Sequence, residues 1–257
     1  MTDNHNTDAL PPKLHAILAR PFKRIVVFSG AGMSADSGIP TFRSGENGLW
    51  NAYNPSDLAT PDAWRRDKET VWAWYEWRRG IVMAAQPHPG HVAVAELQRR
   101  RDAKIITQNV DDLHERAGAT DVLHLHGSLF AARCSACGKP CALGEPPQEQ
   151  QRQITPPRCQ KCQGYIRPGV VWFGENLDTT TVKQARHAIA DCDLLLIVGT
   201  SGVVYPAAGM VDEAPSSATI VEINPQPYET SSRIAFQWRT TAARGLPEVA
   251  GSILAKF

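Results

Sequence analysis

Four of the six cysteines in this 257-residue chain occur as two C-x-x-C pairs, Cys134/Cys137 and Cys159/Cys162. Each pair can supply two thiolates from one tight turn, and four thiolates complete the tetrahedral shell that Zn²⁺ prefers. A closed shell leaves no position for substrate, so the spacing predicts a structural zinc site. A redox dithiol, or cysteines without a common role, are the alternatives. Cys141 is a weaker candidate ligand because it has no partner at C-x-x-C spacing.

A glycine-rich turn follows an apolar run at residues 25–28. Gly30, Gly32 and Ala35 fit the G-x-G-x-x-G/A dinucleotide fingerprint, in which the glycines let the backbone turn tightly and approach a phosphate. Pro40 lacks the N–H that a helix needs and restricts Ile39 before it. A polar loop therefore replaces the helix of an ordinary dehydrogenase, and the sequence predicts an unusual dinucleotide site.

Polar clusters follow five of the expected strands at their carboxyl ends. They are Gly30-Ala31-Gly32, Gln108-Asn109-Val110-Asp111, His126-Gly127, Gly199-Thr200-Ser201 and Asn224-Pro225-Gln226. Ligands of parallel α/β sheets bind outside the carboxyl ends of the strands, so we expect these clusters to converge on one crevice.

Two histidines of this edge are candidates for proton transfer. His124 and His126 lie two apart on one strand and share a face, so periodicity does not choose between them. His126 is favoured because it precedes Gly127 at the strand end, where a histidine can act as general base. A histidine at such a position more commonly has a structural role, packed or hydrogen-bonded within the fold. Asp111 is equally open, because a helix N-cap would explain it as well as ligand contact does.

Strands alternate with helices along most of the chain, which predicts an α/β fold with a Rossmann-like parallel sheet. The expected strands are 25–28, 104–107, 122–127, 170–173, 193–198 and 218–223, the last of which closes the pattern. We assign residues 20–45, 91–130 and 168–250 to the dinucleotide-binding domain. A helical insertion is expected at 46–90 and a small zinc-ribbon insertion, poor in apolar residues, at 131–167. Residues 1–11 are expected to be disordered.

Charge and hydropathy exclude some classes of protein. The formal net charge is +1, which argues against a nucleic-acid or membrane-surface binder. No segment approaches the roughly 20 apolar residues of a membrane span, and the N-terminus has no apolar signal region. We therefore expect a soluble, cytoplasmic protein with neither nucleic-acid nor membrane partners.

Taken together, the motifs resemble those of a known family. Residues 30–43, GAGMSADSGIPTFR, closely resemble the signature loop of the sirtuins, which are NAD-dependent protein lysine deacylases. Further motifs are similar and occur in family order: residues 107–111, 124–127, 171–175, 199–201 and 224–225, together with the four paired cysteines.

The resemblance implies roles for individual residues. NAD would be bound as a consumed co-substrate by Gly30, Ala31, Gly32, Ala35, Asp36, Thr41, Phe42, Arg43, Gln108, Asn109, Val110, Asp111, Gly199, Thr200, Ser201, Asn224, Pro225, Gln226 and Ala242. Phe42 would shield the reactive ribose carbon, and His126 would be the general base. Val171 and Phe173 would contact the substrate, and the zinc would be structural.

The resemblance also implies the reaction. In sirtuins the acyl-lysine oxygen displaces nicotinamide from the ribose, and the products are free lysine, nicotinamide and O-acyl-ADP-ribose. The implied partners are acylated lysines of proteins or peptides. A protein mono-ADP-ribosyltransferase would share the NAD site and is the main alternative. A hydride-transferring dehydrogenase is disfavoured by Gly38-Ile39-Pro40, and a zinc-ribbon nucleic-acid module by the near-neutral charge.

A helix candidate carries the clue to the acyl group. Tyr75 and Arg78 stand at i and i+3, so they share a helix face. From the residues alone, a tryptophan-rich packing helix with solvated arginines is the favoured explanation. The Tyr-x-x-Arg spacing, however, resembles the class III sirtuins of the bacterial type, in which both residues bind the carboxylate of succinyl- or malonyl-lysine. Ala35 fits that subgroup, and Arg79 is a competitor that does not match the spacing. We expect desuccinylation and demalonylation, with deacetylation as well.

Overall fold

The computed structural model describes residues 9–41, 54–202, 205–226 and 233–255. Its strands are β1 Ile25–Ser29, β2 Lys104–Thr107, β3 Leu123–His124, β4 Gly127–Cys134, β5 Ile166–Val170, β6 Leu194–Val198, β7 Thr219–Ile223 and β8 Ile234–Trp238. Its helices are α1 Pro12–Leu18, α2 Pro55–Leu58, α3 Pro61–Arg66, α4 Lys68–Ala84, α5 Pro89–Arg101, α6 Leu113–Arg116, α7 Thr179–Ala190, α8 Ala207–Met210 and α9 Ala242–Leu254.

Six of the strands in these ranges form one sheet in the order β3-β2-β1-β6-β7-β8. Every neighbouring pair is parallel. This is the strand order of the doubly wound dinucleotide-binding fold, so the predicted α/β class is confirmed. β1, β6 and β7 are buried along their whole length, as their nearly continuous apolar sequences require in a sheet covered on both faces.

Helices cover the two faces of the sheet. On one face, side chains of α1, α5 and α9 form a core with alternate strand residues, among them Leu14, Val27, Leu97, Leu196 and Val249. On the other face, α7 and α8 pack through residues such as Ile189 and Met210 against Phe28, Leu195 and Ile197. Alternation of side chains along each strand explains why adjacent residues belong to different cores.

A third core joins the helical insertion to the small sheet. Trp64, Trp72 and Trp74 pack with Leu129 and Trp172 in this cluster. The small sheet consists of β4 and β5, paired antiparallel. The expected domain boundaries at 130/131 and 167/168 fall within these two strands, so the division into domains stays a prediction.

The predicted strand at 170–173 differs from the structure. The strand is Ile166–Val170 and pairs with β4 rather than with the main sheet. Beyond Val170 the backbone bonds two other parts of the chain. Val171 N donates to His126 O at 2.8 Å, and Phe173 N donates to Ala59 O, just before α3, at 2.9 Å. Periodicity within one apolar run does not specify such partners.

The last two elements, β8 and α9, were not predicted from the sequence. β8 is an edge strand with mixed exposure, which leaves little local signature. α9 has a clear helical period, since Leu246, Val249, Ala250 and Ile253 are buried, but it contains Pro247, a residue disfavoured inside a helix. Among the described residues, no helix combines the length and apolar character needed to cross a bilayer.

Candidate active site

The crevice expected at the strand ends lies where the strand order reverses, between β1 and β6. Gly30 N donates to Val198 O at 2.9 Å, and Gly32 N donates to Gly199 O at 2.8 Å. A Cβ atom on Gly32 would lie 2.7 Å from Gly199 Cα, and one on Gly30 would lie 2.8 Å from Thr200 Cα. The glycines are therefore required because two strand-end loops touch, a role that the dinucleotide fingerprint alone did not reveal.

Between the glycine turn and Thr41, where this part of the described chain ends, there is no regular helix. Two short 3-10 turns, Ala31–Met33 and Ala35–Ser37, end at Gly38, whose φ of +83° is left-handed. The predicted interruption is confirmed. Ala35 and Asp36 are exposed here, and Thr41 is half-buried. Phe42 and Arg43, two residues expected to bind NAD, lie outside the described residues.

A buried polar cluster lies beside this turn. Asn109 Nδ2 donates to Ser34 Oγ at 3.1 Å, and Ser34 Oγ donates to Asp111 Oδ2 at 2.9 Å. Burial raises the pKa of Asp111, although hydrogen bonds from Leu113 N and Ser34 oppose the rise. Asp111 Oδ1 also accepts from Leu113 N at the start of α6. The N-cap position of α6 is Asp112, so Asp111 bonds the start of the helix without being its N-cap, and its role toward a ligand stays a prediction.

The remaining strand ends meet around Thr200. Gln108 Nε2 donates to Thr200 Oγ1 at 3.4 Å, and Asn224 Nδ2 donates to Thr200 O at 2.8 Å. Gln226 N donates to Asn224 Oδ1 at 3.3 Å within the turn after β7. The structure thus brings the ends of β2, β6 and β7 together as the sequence predicted. The nearby expected residues Val110 and Ser201 are half-buried, whereas Pro225 is exposed.

Ala242 occupies a different position from the other expected cofactor residues. It is buried at the N-terminus of α9, and a Cβ on Gly90 would lie 2.4 Å from its carbonyl oxygen. Its contact with the N-terminal end of α5 is therefore structural, and its role toward NAD stays a prediction.

Hydrogen bonds separate the two candidate histidines. His126 Nδ1 lies 2.9 Å from Gln108 O, and a carbonyl only accepts, so Nδ1 carries the hydrogen. In the neutral ring, Nε2 then keeps its lone pair. Burial lowers the pKa of His126 below its ordinary value of 6.5, and the bond to Gln108 opposes this in part. The ring is consequently neutral near pH 7, as a general base must be.

His124 has the opposite arrangement. Its Nδ1 lies 2.9 Å from Asn109 O and its Nε2 lies 2.7 Å from the Glu115 carboxylate. Both partners accept, so both nitrogens donate and the ring is cationic. Burial lowers the pKa of His124, but the bonds to Glu115 and Asn109 outweigh burial and raise it. A charged ring with both nitrogens occupied cannot accept a proton.

The four paired cysteines form one cluster. Their sulfurs lie within 4.8 Å of one another, with 3.4 Å between Cys134 and Cys162 and 3.9 Å between Cys137 and Cys159. A tetrahedral shell with Zn–S bonds of about 2.3 Å requires separations of about 3.8 Å. The donor set and its size therefore fit a structural zinc ion. Cys141 is not in this cluster, and its thiol donates to Lys139 O at 3.3 Å.

The turns after the two cysteine pairs each contain a glycine, but for different reasons. Gly138 has a φ of +71°, but in the second turn the left-handed residue is Gln163, at +60°. Gly164 is required for space instead, because a Cβ there would lie 2.7 Å from Ala136 Cβ and 3.1 Å from Cys134 Sγ.

The segment after β5 connects this edge to the helical insertion. The bond from Val171 N to His126 O holds the expected substrate-binding segment beside the candidate base. Phe173 is 47% exposed, which suits contact with a ligand from solvent. Trp172, between them, is buried and donates from Nε1 to Tyr75 Oη at 3.0 Å.

Tyr75 and Arg78 lie on the buried side of α4. Both are less than 8% exposed, and the Arg78 guanidinium lies over the Trp74 ring at 5.0 Å. Arg79, the competitor in register, donates to Glu76 Oε2 at 2.6 Å and to Gly144 O at 2.8 Å. Its guanidinium therefore ties α4 to the zinc insertion. α4 is a tryptophan-rich packing helix, as that interpretation expected, but its expectation of solvated arginines is wrong, because Arg78 and Arg79 are both buried.

Comparison with known proteins identifies the family. The Sir2 family model matches residues 30–206. Over 239 residues the chain is 49% identical to an NAD-dependent protein deacylase of Corynebacterium glutamicum, covering 91% of this chain and 93% of that protein. Over 213 residues it is 53% identical to NAD-dependent protein deacylase 1 of Pseudomonas aeruginosa, covering 81% and 85%. The chain belongs to the Sir2 family.

The fold agrees with this membership. A crystal structure of a Sir2 homologue in complex with NAD matches with a TM-score of 0.87 at 41% identity, covering 98% of this chain and 97% of that one. The resemblance to sirtuins is thereby confirmed. The two named relatives are deacylases, so the mono-ADP-ribosyltransferase alternative is not favoured.

The site of this Sir2 chain fits a dinucleotide. Two glycine turns meet at the switch point, and buried amide, hydroxyl and carboxyl groups of Asn109, Ser34 and Asp111 converge beside them. Such an edge can hold phosphates through backbone N–H groups and ribose through polar side chains.

Sequence reasoning did not single out two residues of this site. Ser34 lies within the signature loop, but only the structure shows that its hydroxyl joins Asn109 to Asp111. Trp172 lies between two expected substrate residues, but its bond to Tyr75 spans 97 positions. Position within a matched motif was the available signal for each.

Removal of the zinc should unfold the 131–167 insertion and abolish activity. The segment has few apolar residues, so metal binding supplies much of its folding free energy. It also contacts α4 through Arg79 to Gly144 O and Ile154 N to Glu69 O, so its loss would disturb Tyr75 and Arg78. Cys159→Ser should lose zinc, measured by atomic absorption, and melt at a lower temperature. The matched variant Cys141→Ser should keep its zinc and its melting temperature. Loss of zinc from Cys141→Ser would contradict the assignment of the four paired cysteines as the ligands.

Proposed function

We propose that this protein is an NAD-dependent protein-lysine deacylase that prefers acidic acyl groups, succinyl and malonyl, and also accepts acetyl. The deacylase activity is supported by family membership and by the names of the relatives. The acyl preference is carried by one observation, the burial of Tyr75 and Arg78 together on α4. The acylated lysine would come from a protein or peptide.

The charge of Arg78 supports an anionic ligand. A guanidinium is always protonated, and in a buried place it favours a carboxylate that it can bind with two parallel hydrogen bonds. Burial raises the pKa of the Tyr75 phenol, and the positive charge of Arg78 opposes this rise only in part. Tyr75 therefore stays a neutral hydroxyl donor, and the pair offers a cation and a donor to the same carboxylate.

Arg79 does not compete for this role. Its guanidinium forms a buried ion pair with Glu76 at 2.6 Å. Removing it would leave the Glu76 charge buried without its partner, which is costly. Arg79 therefore supports the position of α4, and Arg78 is the cation assigned to the acyl group.

The chain's other residues would bind and activate the reactants. Bound NAD supplies an electrophilic ribose carbon that carries nicotinamide as a leaving group. His126 would accept a ribose hydroxyl proton at Nε2 while Gln108 O holds Nδ1. The bond from Val171 N to His126 O would keep the substrate segment beside that nitrogen.

The proposal is tested by comparing acetyl-, malonyl- and succinyl-lysine versions of one peptide, with and without NAD. We expect kcat/KM at least about tenfold higher for the acidic acyl groups, because only they engage the Arg78 charge. Mass spectrometry should find free lysine, nicotinamide and O-acyl-ADP-ribose. A higher kcat/KM for acetyl-lysine would contradict the acyl preference, and ADP-ribosylated protein as the main product would contradict the reaction.

A further inference from the structure

A chain of buried contacts runs from the small sheet to the hydroxyl of Tyr75. Its last link is the hydrogen bond from Trp172 Nε1 to Tyr75 Oη, at 3.0 Å. An indole nitrogen only donates, so the phenol oxygen accepts here and its own hydrogen must point elsewhere. No acceptor among the described residues takes that hydrogen. The indole therefore fixes the direction in which Tyr75 can donate.

The tyrosine keeps this hydrogen at physiological pH. Burial is the main influence and raises the pKa of Tyr75, while the positive charge of Arg78 lowers it. A phenol that is neutral and already accepts one hydrogen bond is an oriented donor. An anionic group bound at Arg78 is the acceptor that suits it.

Trp172 is itself held from two sides. Its ring is 2% exposed and lies between the Arg167 guanidinium, 3.3 Å from the ring centroid, and the Trp64 ring, 5.7 Å away. Its backbone N donates to Glu175 Oε2 at 2.9 Å, and Glu175 N donates back to Trp172 O at 2.9 Å. Neither the ring nor the backbone is free to rotate away from Tyr75.

An ion pair closes this arrangement. Arg167 donates to both Glu175 oxygens, at 2.5 and 2.9 Å, and to Val170 O at 3.1 Å. Bidentate pairs of this kind restrict geometry as well as stabilise it. Arg167 and Glu175 thus fix the turn from which the indole projects.

We propose that Trp172 is a positioning residue for acyl-group selectivity, its indole N–H orienting the Tyr75 hydroxyl toward the carboxylate of succinyl- or malonyl-lysine. The inference rests on the proposed acyl preference and adds to it a residue that does not touch the carboxylate. Trp172 lies between Val171, bonded to His126 O, and Phe173, bonded to Ala59 O. The same segment therefore connects the acyl end of the site to the candidate base.

Trp172→Phe removes the N–H and keeps an aromatic ring. The ratio of succinyl to acetyl kcat/KM should fall about fivefold to tenfold, the usual effect of one hydrogen bond. The fall should appear mainly in KM for the succinyl peptide, because the carboxylate is bound before and during reaction. The ratio does not depend on the fraction of folded enzyme. If the variant does not fold, replacement of the Trp172 indole by benzothiophene removes the same N–H at nearly constant volume.

Two comparisons distinguish positioning from packing. In a Tyr75→Phe background the indole has no hydroxyl to orient, so Trp172→Phe should change the ratio less than about twofold. Trp64→Phe, a matched change in the same aromatic cluster, should alter both substrates alike. An unchanged ratio in Trp172→Phe, or an equal fall in the Tyr75→Phe background, would overturn the inference alone. If the wild-type enzyme shows no preference for succinyl-lysine that depends on Arg78, the proposed acyl preference and this inference are both overturned.

Discussion

The Arg78→Met variant should lose about a hundredfold or more of its kcat/KM on succinyl-lysine peptides and stay within about threefold of wild type on acetyl-lysine. The methionine fills a similar buried volume beside Trp74, the ring that Arg78 covers at 5.0 Å. A succinyl carboxylate would then be buried without a cation, at a cost of about 3 kcal/mol or more. Acetyl-lysine has no carboxylate, so its binding does not depend on this charge.

Steady-state kinetics of the two peptides at saturating NAD measure the effect. Arg79→Met is the matched control, because it removes the adjacent guanidinium, which bonds Glu76 and Gly144 O instead. It should lower the melting temperature and affect both substrates alike. Equal losses on both peptides in Arg78→Met would exclude the carboxylate role.

The His126→Asn variant should lose about a thousandfold in kcat, the middle of the range for general-base catalysis. The asparagine amide can replace Nδ1–H as the donor to Gln108 O, which lies 2.9 Å from Nδ1 in the wild type. It places no basic nitrogen where Nε2 was. Folding, zinc content and NAD binding should therefore be preserved while proton transfer is lost. Retention of turnover above about a tenth of the wild-type rate would show that another group is the base.

His124→Asn is the control for this experiment. Because His124 is already cationic and bonded at both nitrogens, its replacement should reduce stability more than catalysis. In the wild type, kcat/KM should fall as acid protonates His126. Burial lowers that pKa, so the fall should be centred below pH 6.5. This fall of kcat/KM at acid pH should be absent from the residual activity of His126→Asn.

Local features of the chain were readable without a structure. The apolar strands, the interrupted turn at Gly38 and the two C-x-x-C pairs each depend on neighbours a few residues apart. Backbone sterics, side-chain periodicity and metal-ligand spacing act at that range. The α/β class follows from them because alternating strands and helices have few ways to bury their apolar faces.

Contacts between distant segments were decided only by the tertiary structure. Strand periodicity does not choose between His124 and His126 as the candidate base. Their different hydrogen-bond partners in the structure distinguish them. The sequence left Arg78 and Arg79 adjacent without assigning either a partner, and the structure pairs Arg79 with Glu76. Nor did the sequence indicate that Trp172 bonds Tyr75, because partners in space that lie far apart in sequence are specified by the whole packed core. By itself the sequence determined the family's elements and motifs, whereas the structure decided which side chain each polar atom faces. That choice depends on burial, since a polar group removed from water must find its partner inside the protein.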